Sequence, residues 1–249
     1  MLIAGFPAGS FQANCYVLAV DPGGPCVVVD PGQDALPGLD RLLVEHQLRP
    51  MAVLLTHGHL DHMASAAALC RRSALSDADV PCYLHPADEY MLDDPLAALS
   101  PELRDALTGL PVDGLRPDVV VGLADLAEPG LAGLPLTIDH VPGHTGGSLV
   151  FRLAGDGDRP EILLTGDTLF AGSIGRTDLP GGNSAQELLS IRDRIFSRPD
   201  DAVVLPGHGP ATTVLAEREA NPFLTAASLA HAEQVMQREQ HAGGRSGRA

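Results

Sequence analysis

The chain has 249 residues, 45% of them apolar, which is enough to bury a full core as one domain with a short appendage. Its 32 acidic residues outnumber 16 basic ones, all of them Arg, and the net charge of −16 repels phosphate backbones, so nucleic acid is excluded as a partner. No run of about eighteen or more apolar residues offers a membrane span, and the N-terminal Met1 to Pro7 lacks the basic and long apolar regions of a signal peptide; the expectation is a soluble, cytoplasmic protein.

In chain order, Asn14 to Val20 and Cys26 to Asp30 read as strands of a hairpin, joined across Asp21-Pro22-Gly23-Gly24-Pro25. Asp34 to Gln47 reads as an amphipathic helix, with Leu36, Leu39, Leu43 and Leu48 near helical spacing. A buried strand follows at Met51 to Leu55, then a helix over Asp61 to Arg72 and a strand at Val80 to Leu84. From Pro86 onward, and through Asp93 to Pro117, prolines limit the chain to short helices such as Pro101 to Leu107. The second half repeats the scheme, with strands at Leu134 to Val141, Leu149 to Leu153, Glu161 to Thr165 and Val203 to Leu205, and an amphipathic helix over Ala185 to Phe196. A last helix is expected from Pro222 to about His241, with Gly243-Gly244-Arg245-Ser246-Gly247 as a frayed tail. The expected division is a domain over 1–221 and an appended 222–249.

Cys15, Cys26, Cys70 and Cys82 fall in apolar runs without zinc-knuckle spacing and read as reduced core thiols. His46, His231 and His241 have polar neighbours on helices and read as solvated. The Arg71-Arg72 and Asp93-Asp94 pairs read as solvated faces. His85 and His140 end strands, where they could orient a metal ligand by hydrogen bond.

The chemistry concentrates in Thr56-His57-Gly58-His59-Leu60-Asp61-His62, where a strand turns into a helix. Four metal-capable side chains in six positions would repel one another or stay underbonded without a cation. His57 and His59, two apart in an extended loop, can point the same way, while Asp61 and His62 sit on the next helical turn. Two adjacent donor sets suit two metal ions. Further donors stand on Gly-rich loops at the ends of strands: His144 in Pro142-Gly143-His144-Thr145-Gly146, Asp167 in Gly166-Asp167-Thr168, and His208 in Pro206-Gly207-His208-Gly209.

The His-x-His-x-Asp-His spacing, with His144, Asp167 and His208 in order behind it, resembles the metallo-β-lactamase superfamily of hydrolases. The resemblance implies an α/β fold, the four-layer αββα sandwich, with its metal site at the shared edge of two sheets. It also implies one ion on His57, His59 and His144, a second on Asp61, His62 and His208, and Asp167 bridging them. The ions would be zinc, with iron or manganese as alternatives, and a metal-bound hydroxide, oriented by Asp61, would be the nucleophile.

The stretch Gly166-Asp167-Thr168-Leu169-Phe170, with Gly172 to Asn183 and Glu219-Ala220-Asn221-Pro222, resembles a short, glyoxalase-II-like branch. Typical zinc β-lactamases carry Cys where Asp167 stands. That branch implies hydrolysis of a small-molecule thioester, an S-2-hydroxyacyl thiol ester, with Arg176 contacting the thiol carrier. Against the family pattern, Thr177-Asp178 replace aromatic residues and the large C-terminal glutathione-binding domain has no counterpart. Gly175-Arg176-Thr177-Asp178 also resembles persulfide dioxygenases of the same fold. These would use one iron on His57, His144 and Asp167.

Overall fold

The computed structural model describes residues 1–72, 80–106, 109, 112–125, 127 and 130–246. Side-chain alternation along the central strands fixes its layers. In β2 (Ala13–Ala19), Cys15, Val17 and Ala19 point to one side and Leu18 to the other. In β3 (Pro25–Val29), Cys26 and Val28 take the first side, Val27 and Val29 the second. Both faces are apolar, so the sheet is covered on both. One face meets α1 (Leu36–Glu45), α2 (Leu60–Met63) and α3 (Ala66–Cys70) through Leu39, Leu43, Met63 and Leu69. The other meets the second sheet.

The first sheet runs in the order of the chain: β1 (Leu2–Ala8), β2, β3, β4 (Arg49–Leu54), β5 (Cys82–Leu84) and β6 (Val120–Gly122). β1, β2 and β3 are antiparallel neighbours, and β3 to β6 are parallel, with helical crossovers between β3 and β5. The second sheet holds β7 (Leu136–His140), β8 (Leu149–Leu153), β9 (Ile162–Gly166), β12 (Val203–Pro206) and β13 (Thr212–Thr213), and β9 and β12 are parallel. A two-stranded ribbon, β10 (Leu169–Phe170) and β11 (Ser173–Ile174), follows β9. Leu149, Phe151 and Leu153 of β8 meet Leu18, Val29 and Leu54 between the sheets, while Val150 faces outward.

Outside the second sheet, Val150, Leu163 and Val204 pack on Ile191, Ile195, Val214 and Leu224. Those residues come from the stretch that starts as α6 (Ser184–Ser190) and continues as a π-helical turn over Ile191–Ile195, from α7 (Val214–Ala220), and from the approach to α8 (Ala226–Ser246). The layers are helix, sheet, sheet, helix, the αββα arrangement expected from the sequence. No helix among the described residues is long and apolar enough to cross a membrane.

Several predicted elements are corrected. The helix expected over Asp61 to Arg72 is two, α2 and α3, because the Ser65 N–H donates to Pro31 O (2.9 Å) instead of continuing the helical ladder. The tail expected to fray at Gly243 is helical through Ser246, while Gly247 lies outside the described residues. The short helix expected over Pro101 to Leu107 is α5 (Pro101–Ala106), and Leu107 lies outside the described residues. β1, β6, α7 and the one-turn α4 (Tyr90–Asp93) were not expected from the sequence.

Candidate metal centre

Each predicted donor follows a strand. The loop from Thr56 leaves β4, His144 follows β7, Asp167 follows β9 and His208 follows β12. Strands β2 and β8 stitch these loops together. Asn14 Nδ2 donates to Pro206 O and Gly209 O (3.0 Å each), Tyr16 Oη donates to Pro206 O (2.8 Å), and the Leu149 N–H donates to Thr56 O (2.8 Å). Gly207 is required beside Asp167, because a Cβ there would lie 2.3 Å from Asp167 Oδ1.

The structure brings all seven predicted donors into one cluster. His57, His59 and His144 converge, with His59 Nδ1 lying 3.1 Å from His57 Nε2 and 2.9 Å from His144 Nε2. Asp61, His62 and His208 converge beside them, with His208 Nε2 3.3 Å from His62 Nε2 and 3.2 Å from Asp61 Oδ2. Asp167 spans the two sets. Its Oδ1 is 3.2 Å from His62 Nε2, and its Oδ2 is 3.6 Å from His208 Nε2 and 3.8 Å from His144 Nε2.

Surrounding residues fix which ring nitrogens face inward. Asp30, buried at the end of β3, accepts from Thr56 N (2.8 Å) and Thr56 Oγ1 (2.7 Å), and its Oδ2 is also 3.0 Å from His62 Nδ1. With its proton on Asp30, Thr56 Oγ1 accepts from His57 Nδ1 at 3.1 Å. His144 Nδ1 donates to Arg176 O at 2.7 Å. In this assignment His57 and His144 turn a bare Nε2 toward the centre, and His62 Nε2 faces Asp167 Oδ1.

Among the described residues, His59 Nε2 and Asp167 Oδ1 are buried polar atoms without a hydrogen-bond partner. The Nε2 atoms of His57 and His144 both face His59 Nδ1, which can carry one proton for the two of them, an arrangement that a shared cation would relieve and that packing alone would not produce. The donor chemistry fits divalent metal: three imidazoles on one side, and two imidazoles with a carboxylate on the other.

The electrostatics agree. Burial lowers the His59 imidazole to about 3, and burial together with the neighbouring rings holds His57 well below the usual histidine range. Burial pushes the Asp61 and Asp167 carboxyls up, but the facing imidazoles, His62 foremost, outweigh it and keep both below the usual carboxylate range. Burial lowers the His62 and His208 imidazoles, but the facing Asp167 and Asp61 carboxylates outweigh it and raise both above the usual histidine range, so in the absence of an ion these two rings hold the protons that a bound cation would displace.

Two further buried carboxyl groups brace the loops. Asp88 accepts from Gly58 N (3.1 Å), Thr145 Oγ1 (2.7 Å) and Gly147 N (2.8 Å), tying the His57–His59 loop to the His144 loop. Glu187 on α6 accepts from His144 N (2.7 Å), and burial keeps its carboxyl well above the usual range.

Neither residue was anticipated as a brace. Asp30 and Asp88 each carried a faint signal, as acidic residues just past strand-like runs. His85 and His140 are not placed to orient a ligand. Their rings stack at 4.0 Å, and His140 Nε2 holds Gly146 O at 2.9 Å, so the pair supports the backbone of the His144 loop.

A small cavity of about 150 Å³ opens onto the donors, lined by His59, Asp61, His144 and Asp167 with Phe11, Leu60, Leu99, Arg176 and Leu179. Arg176 is on its rim, but its guanidinium makes two 2.8 Å bonds to Asp178 and both side chains are exposed.

The chain belongs to the metallo-beta-lactamase superfamily, whose model matches residues 8–208. An uncharacterized protein of Mycobacterium tuberculosis is 49% identical over 90% of this chain and 98% of its own length. The probable metallo-hydrolase YqgX of Bacillus subtilis is 36% identical, covering 90% and 97%. The hydroxyacylglutathione hydrolase GloC of Haemophilus influenzae is 32% identical, covering 89% and 97%. Among solved structures, the BLEG-1 B3 metallo-beta-lactamase (TM-score 0.74, 34% identity) covers 90% of this chain and all of its own. TTHA1623 in a di-iron-bound form (TM-score 0.70, 34% identity) covers 89% and 100%. ETHE1 from Myxococcus xanthus (TM-score 0.70, covering 94% and 91%) shares the fold at 22% identity.

Proposed function

We propose that the protein is a metal-dependent thioesterase that hydrolyses small-molecule S-acyl thiol esters, such as S-2-hydroxyacyl esters. His57, His59 and His144 would hold one divalent ion, Asp61, His62 and His208 a second, and Asp167 both. Zinc is the expected metal, with iron, as in the di-iron form of TTHA1623, or manganese as the alternatives. Bound there, the ions would acidify a water and polarise a carbonyl oxygen.

The observation that carries the reading is the composition of the small cavity. Its polar side chains are donors to metal, Asp167 stands where a typical zinc β-lactamase has Cys, and beyond Arg176 the other lining residues are apolar. No general acid faces the leaving group among the described lining residues. A thiolate departs without one, whereas an amine or alkoxide needs a proton. Water adds its oxygen to the carbonyl carbon, the carbon–sulfur bond breaks, and the electron pair leaves with sulfur. One of the water's two protons goes to the departing thiolate and the other to solvent, so the products are a carboxylate, a thiol and a released proton.

Within that reaction, Asp61 accepts a hydrogen bond from the attacking water. Phe11, Leu60, Leu99 and Leu179 limit the entry of other waters. Arg176 meets a carboxylate of the thiol carrier only by exchanging its Asp178 partner, so its contribution is small. The similarity to the hydroxyacylglutathione hydrolase GloC supports the same chemistry. The buried, free thiols of Cys15, Cys26, Cys70 and Cys82 support a reducing, cytoplasmic setting.

The test is a substrate panel on protein whose metal content has been measured: S-lactoylglutathione, a phosphodiester, a β-lactam chromophore and glutathione persulfide with an oxygen electrode. Thioester hydrolysis alone is the expected result. Hydrolysis of only the phosphodiester, or oxygen uptake by protein holding one iron, would refute the assignment, the second result in favour of a persulfide dioxygenase.

A further inference from the structure

A second cavity, of about 420 Å³, lies between the turn after β1, the start of α1, α2 and the segment at Val112 to Leu115. Leu36, Pro37, Ala64, Val112 and Leu115 line it, and Phe11 and Leu60 belong both to it and to the small cavity over the metal donors. These two side chains form a shared wall. A carbonyl held among the donors can therefore carry a substituent over Phe11 and Leu60 into the larger space. Its volume falls within the roughly 300–1,000 Å³ of small-molecule sites, whereas the cavity over the donors is too small for a whole ligand of that kind.

The two flanks of the small cavity differ in chemistry. Arg176 marks the side suited to a polar, carboxylate-bearing thiol carrier, and Phe11 and Leu60 mark the apolar side. Among the described lining residues the large cavity offers no cation. Its polar groups are Gln33, Ser65 and the exposed carboxylate of Asp34.

We propose that this cavity is the acyl subsite, and that the preferred substrates are thioesters whose acyl group is an uncharged, apolar chain longer than lactoyl. The assignment rests on the thioesterase reading above. Burial of each methylene against Leu36, Val112 and Leu115 drives binding, and Asp34 disfavours a chain ending in a carboxylate.

The experiment uses metal-loaded protein and acetyl, butyryl, hexanoyl and octanoyl thioesters of one thiol, N-acetylcysteamine, with the adipoyl ester as the charged counterpart of hexanoyl. The expected kcat/KM rises about two- to fourfold per methylene to at least hexanoyl, and adipoyl is about tenfold or more below hexanoyl. Leu36→Trp and Val112→Trp, which fill the cavity from different elements, each flatten the series to within about twofold of the variant's own acetyl rate. Isothermal titration calorimetry of hexanamide into the parent protein reports occupancy of the cavity without turnover, and the two filled variants are expected to lose that binding.

A flat series in the parent protein, equal rates for hexanoyl and adipoyl, or a series unchanged in both variants overturns the subsite. Thioesters inert at every length overturn the thioesterase reading and the substrate assignment with it. The hexanamide response tells that failure from a failure of the cavity to bind apolar ligands.

Discussion

Asp88 accepts three hydrogen bonds from two loops that carry metal donors, and no water reaches it. Replacing it by Asn keeps the volume but turns an NH2 group toward a backbone N–H that needs an acceptor. Asp88→Asn is expected to lower stability by about 2–4 kcal/mol in denaturant unfolding. It is also expected to weaken zinc binding about 10- to 100-fold in a competition titration with a chromophoric chelator. If zinc affinity stays at the parent value, the brace is not needed to hold the donors. The cysteines invite a separate measurement. All four are buried, and burial pushes the Cys26 thiol up to about 12, so a thiol reagent at neutral pH should label the native protein far more slowly than the unfolded one.

At the scale of elements, α8 and the turn leading into it pack on the outer core and on the α6 stretch. Leu224 and Ala232 are buried, Leu229 packs on the outer core, and Arg192 of the α6 continuation pairs with Glu233. A chain ending at Asn221 should lose about 2–4 kcal/mol and melt about 5–15 °C lower, with the donor cluster otherwise intact, as calorimetry and metal content would show. The strands were legible in the sequence wherever an apolar run met a turn signal, as at Met51 to Leu55 or Leu149 to Leu153. β1 was not, because Gly5 and Pro7 mask an edge strand whose residues are mostly half-exposed. The break between α2 and α3 was not legible either, since it depends on a hydrogen bond from Ser65 to Pro31, a contact that local periodicity does not carry. The donors were legible because metal ligation restricts residue types at short spacing. Asp30, Asp88 and Glu187 were not, because a buried carboxylate is recognised only once its partners are known.

For the molecule as a whole, the charge of −16 predicts no retention on heparin or DNA at physiological salt, a result that a gel-shift assay can contradict. Removing metal leaves seven clustered donors without their shared partner, and four of them, His57, His59, His62 and His144, are buried. Chelator-treated protein is expected to melt at least about 5 °C lower, and stoichiometric zinc should restore the parent melting temperature. An unchanged melting temperature after complete chelation would mean that the cluster is stable without ions.

The stitching of β2 to the loop around His208 sets an order of assembly. Asn14 waits for partners almost two hundred positions downstream, and the final donor arrives with them. During synthesis, Asp30, Thr56 and the histidines near them leave the ribosome early, whereas the second donor set stays incomplete until the chain has been made past residue 208. The nascent protein can therefore offer its first three imidazoles to an ion before it can take two, and premature termination just ahead of His208 would leave a half-site.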